Sequence, residues 1–159
     1  MLGTTRDELG GSEFYKLLGG VGNNPPKVNI EENLQLYRAL SRATEEGVVA
    51  SAHDMSDGGL AVAFAECALG FGIGADLDLN LISAETDKEA ALLFSESAGR
   101  FVVSVKPENA EKFEYILGGT VFRRAGRVRG DKRFIIREGE NVLVNKPVED
   151  IRKAYDKGV

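Results

Sequence analysis

Residues Val48 to Leu69 run in a fixed order: an apolar β-prone stretch, an acidic turn with two adjacent glycines, then an apolar helix-forming stretch. The core of it is Ser51-Ala52-His53-Asp54-Met55-Ser56-Asp57-Gly58-Gly59-Leu60. This order predicts a strand over Val48–Ala52, a tight turn, and a helix from about Gly58 to Leu69 with Asp57 as its N-cap. The first N–H groups of a helix lack intrahelical partners, and the helix dipole favours negative charge there. Glycines at such a turn let a ligand approach the backbone. Asp54 and Asp57 oppose a simple phosphate cradle unless a divalent cation lies between them or one carboxylate serves as the cap. Two readings therefore stand side by side. One is an anion or nucleotide site; the other is a capped helix whose glycines only permit close helix–strand packing.

The rest of the chain is punctuated in the same way. Ser12 caps a short helix over Glu13–Leu18, and Gly19-Gly20 ends it. Asn23-Asn24-Pro25-Pro26 must be extended. It leads into a helix over Glu31–Glu46 whose apolar face is Ile30, Leu34, Tyr37, Leu40 and Ala43, with Gly47 as its stop. In Ile73–Leu79 the residues Ala75, Leu77 and Leu79 share one face of a strand, and Asp76 and Asp78 share the other, read as solvated. Thr86–Ser95 is predicted helical, Phe101–Val105 a buried strand, and Pro107–Ile116 a helix. Strands then follow over Thr120–Arg124, around Val128, and over Arg133–Arg137 and Asn141–Val144, and Pro147 opens a last helix over Val148–Tyr155.

Alternating strands and helices with late hairpin-like strands give an α+β fold: a mixed β-sheet covered by helices, an α/β sandwich with an antiparallel part. The 159 residues fit a single domain over 1–159, with a glycine- and proline-rich leading segment (1–29) and an α/β core (30–159). A net charge of −5 without a clustered Lys/Arg patch leaves no electrostatic footprint for nucleic acid. Arg123, Arg124, Arg127, Arg129, Lys132 and Arg133 are spaced as strand residues and read as a solvated sheet face. No apolar run is long enough for a membrane span, and no charged-then-apolar leader opens the chain. Cys67 is the single cysteine, read as a small buried hydrophobe in a reducing, cytoplasmic compartment. His53 has no evident serine partner and no second histidine at metal-ligand spacing, so it reads as a hydrogen-bonded structural residue.

Three polar motifs stand where elements end: Glu8–Glu13, His53–Gly59 and Ser95–Arg100. The strings Ala52-His53-Asp54-Met55-Ser56-Asp57-Gly58-Gly59-Leu60-Ala61 and Phe94-Ser95-Glu96-Ser97-Ala98-Gly99-Arg100-Phe101, behind Thr5-Arg6-Asp7-Glu8-Leu9-Gly10-Gly11-Ser12-Glu13, resemble the phosphoribosylformylglycinamidine synthase family. More narrowly, they resemble the C-terminal domain of its large synthetase subunit. The wider superfamily includes aminoimidazole ribonucleotide synthase, selenophosphate synthetase, thiamine monophosphate kinase and a hydrogenase maturation factor.

The resemblance implies a fold of the aminoimidazole ribonucleotide synthase C-terminal type. It also implies part of an ATP-dependent ligase of purine synthesis, acting on a purine nucleotide precursor with ATP and Mg as cofactors. The implied partners are the remaining synthetase domains, a glutaminase subunit and a small accessory subunit, with no nucleic acid and no membrane. It implies a nucleotide- or phosphate-binding role for Gly10, Gly11, Ser12, Asp57, Gly58, Gly59, Glu96, Ser97 and Arg100, and no catalytic residue in this chain. The family's catalytic histidine, ATP-binding lysine and most magnesium-binding acids belong to an N-terminal domain with no counterpart here. Ala98 and Gly99 stand where the family's catalytic half has a Gln-Glu pair, which implies the second, non-catalytic pseudo-site. In some members that second site holds an auxiliary nucleotide with a structural role. The isolated domain is accordingly expected to be inactive. The alternatives are the same domain of another superfamily member, or a purely structural packing domain.

Overall fold

Ser12 opens the first helix as expected, its hydroxyl accepting from the Tyr15 N–H at 3.4 Å at the head of α1 (Glu13–Leu17). The computed structural model describes residues 1–157. Asn29 caps α2 (Ile30–Glu45) through the Glu32 N–H, and Glu31 and Glu32 complement the dipole of its first turn. There follow β1 (Ser51–Asp54), α3 (Gly59–Phe71), β2 (Gly74–Asp78), α4 (Glu89–Phe94), β3 (Phe101–Ser104) and α5 (Ala110–Ile116). The chain ends with β4 (Gly126–Arg129), β5 (Arg133–Glu138), β6 (Asn141–Pro147) and α6 (Val148–Asp156). Short 3₁₀ turns follow β2 and precede α5.

Among the described residues the strands form two sheets. β1 and β3 pair antiparallel, Ser51 opposite Ser104 and Asp54 opposite Phe101. The other sheet has the order β4-β2-β5-β6, in which β2 and β5 are parallel and the remaining pairs antiparallel. This is the mixed, helix-covered α/β arrangement read from the sequence. α3 covers the larger sheet, with Leu60, Ala63, Phe64 and Ala68 packed against Leu77, Phe134 and Ile136. The Phe64 and Phe134 rings lie 5.1 Å apart. A second core joins Leu36, Leu40 and Ala43 of α2 to Phe113, Ile116 and Leu117 at α5.

Several expectations are corrected. The strand predicted over Val48–Ala52 forms over Ser51–Asp54, because Val48 closes the end of α2 by bonding to the Ala43 carbonyl and its side chain joins the α2–α5 core. Thr120–Arg124 forms no strand. It bonds instead to the first residues, with Gly3 N–H to Val121 O and Arg123 N–H to Met1 O, and one isolated bridge links Leu2 to Phe122. The leading segment divides accordingly: Leu2, Thr5, Glu8, Leu9 and Ser12 are buried in the body, whereas residues 17–29 are exposed.

The buried face of α2 is Asn33, Leu36, Leu40 and Ala43, while Ile30 and Leu34 face outward and Tyr37, partly exposed, sets its ring edge-on to Phe101 of β3. Leu40 and Ala43 of the expected face are buried as read, and packing on α5 completes that face with Asn33 and Leu36 in place of Ile30, Leu34 and Tyr37. Asp76 and Asp78 are not solvated either; each is at most 7% exposed. Asp76 meets Arg127 and Arg129 at 3.4 Å and Arg137 at 3.2 Å. Asp78 pairs with Arg137 and accepts the Asn80 and Gly139 N–H groups at 3.1 and 3.0 Å. Arg127 and Arg129 of β4 and Arg137 of β5 come from the strands that flank β2, so of the basic run read from the sequence Arg127 and Arg129 are paired across the sheet.

Candidate functional site

The antiparallel β1–β3 pairing brings two of the motifs together. Asp54 lies opposite Phe101, and the Met55 N–H bonds to Arg100 O at 3.0 Å, so the turn after β1 runs beside the loop before β3. Gly58 and Gly59 have φ of 75° and 63°. A Cβ on Gly59 would lie 2.5 Å from Ser95 O, so only glycine allows this approach to the loop while holding a left-handed backbone.

Asp57 is not the cap of α3. The N-cap residue is Gly58, left-handed and without a side-chain cap bond, and Asp57 is exposed. A side-chain cap needs an extended backbone at the cap residue, and here a left-handed glycine occupies that position. The anion at the head of α3 arrives from elsewhere in the chain. Glu96 Oε1 accepts the Gly58 N–H at 2.8 Å and the Glu13 N–H at 3.0 Å. One carboxylate therefore joins the starts of α1 and α3 and brings all three motifs to one corner. Phe14 of α1 stacks on Phe94, with ring centroids 4.9 Å apart, on the same join.

The remaining predicted residues are present in this corner but engaged with one another. The Gly10 N–H bonds to Asn24 O at 2.8 Å and the Gly11 N–H to Val21 O at 2.6 Å, so residues 21–24 lie over the glycine pair. The Ser12 hydroxyl donates to Leu9 O at 2.6 Å and is 1% exposed. Ser97, fully buried, accepts the Arg6 N–H at 3.2 Å, and its hydroxyl lies 3.0 Å from that of Ser95.

Arg100 does not line an open cleft. It is 2% exposed and donates to Ser97 O (3.1 Å), to Thr5 Oγ1 (2.9 Å) and to Ser95 O. Burial pushes its guanidinium down to about 10, against an opposing pull from the Glu8 carboxylate. Its place is between the first and third motifs, which it laces together.

Sequence reasoning quoted Glu8, Thr5 and Ser95 within the motif strings but gave none of them a role in this corner. Glu8 is 4% exposed; Oε1 accepts the Lys27 N–H at 3.1 Å, and Oε2 is buried without a partner. All three lie in or beside the quoted motifs, but only burial distinguishes them from their neighbours. His53 is half-exposed, with Nε2 3.3 Å from Glu66 Oε2 and Nδ1 2.6 Å from Asp54 O. Among the described residues no three His, Cys, Asp or Glu side chains are grouped to hold a metal ion. No helix among the described residues is long and apolar enough to cross a membrane. A cavity of about 520 Å³ lies elsewhere, between the two sheets, lined by Phe64, Cys67, Val103 and Phe113 among others. Burial raises the Cys67 thiol there.

Comparison with known proteins returns the resemblance carried by the motifs. The phosphoribosylformylglycinamidine synthase subunit PurL of Methanocaldococcus jannaschii is 36% identical over 152 residues, covering 95% of this chain and 20% of that protein. The same subunit of Thermococcus kodakarensis is 35% identical over 156 residues, covering 98% of this chain and 22% of that one. The chain thus spans about a fifth of the length of the curated relatives it matches. Among solved structures, phosphoribosylformylglycinamidine synthase II from Thermotoga maritima superposes with a TM-score of 0.71 at 21% identity, covering 80% of this chain and 22% of that one. T. maritima PurL complexed with ATP gives 0.71 at 21% identity, covering 94% and 24%. These two likenesses establish the fold. The AIR synthase related protein, C-terminal domain, family matches residues 1–138, most of the chain and all three motifs, and the chain belongs to that family.

Proposed function

We propose that this chain is the C-terminal domain of a phosphoribosylformylglycinamidine synthase and does not turn over alone. The complete enzyme is an ATP-dependent ligase converting formylglycinamide ribonucleotide and glutamine-derived ammonia to formylglycinamidine ribonucleotide in purine synthesis. Residues 1–159 act as one domain of that longer synthetase, beside its remaining domains, a glutaminase subunit and a small accessory subunit. Family membership and the PurL relatives support this reading. Three of the solved neighbours are T. maritima PurL with ATP, with ADP and with formylglycinamide ribonucleotide (FGAR).

The observation that carries the site reading is Glu96 bound to the Gly58 and Glu13 N–H groups. The corner is built as an anion site, and its anion is the chain's own carboxylate. Glu96 takes the Glu13 and Gly58 N–H groups, and those of Gly10 and Gly11 are taken by Asn24 O and Val21 O, so a polyphosphate finds all four engaged. No step of phosphoryl transfer is therefore assigned to these residues. A phosphate enters at Gly58–Gly59 only by displacing Glu96.

The test is a titration of ADP with Mg into isotope-labelled protein, following the amides of Glu13, Gly58 and Gly59. The expected dissociation constant is about 1 mM, and Glu96→Gln, which removes the competing charge, tightens it several-fold. Flat resonances in both proteins would select the second reading, a packing domain, which the complete internal pairing of these donors favours. Turnover of formylglycinamide ribonucleotide by the chain alone would refute the fragment assignment.

A further inference from the structure

Helix α2 carries two apolar stripes, and the fold buries one of them. Ile30, Leu34 and Tyr37 remain 74%, 44% and 44% exposed. At about 100° per residue they form, with Ser41, a single line along the helix. Glu31 and Arg38 flank that line on the same side, and both are exposed. Among the described residues neither takes part in an ion pair; those made by α2 and its C-cap use Glu32, Arg42 and Glu46.

We propose that α2 is a self-association helix, through which two copies of this chain pair antiparallel about a two-fold axis passing between Leu34 and Gln35. At 1.5 Å per residue Glu31 and Arg38 lie about 5 Å on either side of that point. Glu31 of each copy therefore meets Arg38 of the other, and the contact is made twice. The two apolar lines interleave beneath these pairs. A two-fold interface must be complementary to itself, and this flank is: acid toward the N-terminal end, base toward the C-terminal end. A parallel two-fold would carry the partner's Glu31 and Arg38 across to the far flank of the line, which the body of the domain closes through Asn33 and Leu40. Three apolar side chains per copy make a small seam, so the dimer is weak, with a dissociation constant of about 100 µM. The pairing is independent of the proposed function.

Sedimentation equilibrium of the chain, over concentrations bracketing that constant, tests it. The expected result is a monomer–dimer equilibrium that Leu34→Asp abolishes. Arg38→Glu raises the dissociation constant about tenfold, because two attractions become repulsions. Adding Glu31→Arg to Arg38→Glu restores it to within about threefold of the parent. Circular dichroism confirms that the variants are folded. Independently of those variants, Leu34→Cys forms a disulfide-linked dimer under oxidation, whereas the parent, with Cys67 on α3, does not. A chain that stays monomeric at every concentration overturns the proposal, as does a dimer that tolerates Leu34→Asp, a charge swap that fails to restore pairing, or no cross-link at Leu34→Cys.

Discussion

Glu96→Ala removes one carboxylate and unties two helix starts at once. Its oxygen takes the Gly58 N–H at 2.8 Å and the Glu13 N–H at 3.0 Å. A hydrogen bond to a charged group is worth about 1.5–3 kcal/mol when shielded. Glu96 is half-buried and the Glu13 end is exposed, so the two bonds together are set at about 2 kcal/mol. Favourable charge at the head of α3 adds about 0.5 kcal/mol. The expected loss is about 2–2.5 kcal/mol for Glu96→Ala, and about half of that for Glu96→Gln, which keeps an acceptor but loses the charge. Asp57→Ala, with no cap bond to lose, stays within about 0.5 kcal/mol of the parent. Urea melts followed by far-UV circular dichroism measure all three, with an unchanged m-value confirming that stability alone has moved. Hydrogen exchange at the Gly58 and Glu13 amides reports the same bonds locally. The reasoning fails if Asp57→Ala costs about 1 kcal/mol, the value of an ordinary cap, while Glu96→Ala costs under about 0.5 kcal/mol.

Two further outcomes follow from the buried charges. Arg100→Met leaves Ser95 O, Ser97 O and the Thr5 hydroxyl without their donor and is expected to cost about 3 kcal/mol in urea denaturation; Arg100→Lys recovers little of it, because one ammonium cannot reproduce the guanidinium fork. Burial pushes the Asp78 carboxyl up, but the Gly139 and Asn80 N–H groups and Arg137 outweigh it and hold the carboxyl below its ordinary 3.8. The folded chain thus binds this proton more weakly than the unfolded one, so Asp78 contributes stability above pH 3.8 that is lost as pH falls through the lower folded value. Asp78→Asn is therefore less stable than the parent at neutral pH, and the gap narrows in acid; a gap that widens below pH 3.8 would contradict the assignment.

What the sequence determined by itself was local. Ser12 before Glu13, Asn29 before the amphipathic run, Gly47 after it and Pro147 before Val148 each act within a few residues, and each of those helices forms within one or two residues of where it was read. The order of strands and helices carried the mixed sheet for the same reason, and the motifs carried the family. Tertiary structure decided everything that needed a distant partner. The sequence read Ile30, Leu34, Tyr37, Leu40 and Ala43 as the apolar face of α2, and α5, about seventy residues further along the chain, kept Leu40 and Ala43 in the core but buried Leu36 in place of Leu34 and Tyr37. Alternation marked Asp76 and Asp78 as one face of a strand; their burial followed from arginines on β4 and β5 crossing to meet them. Asp57 was the nearest carboxylate to the head of α3, yet the left-handed Gly58 denied it the cap and Glu96, 38 residues away, filled the position. A helix start attracts a negative group by its field, but only the folded chain sets which carboxylate comes within reach.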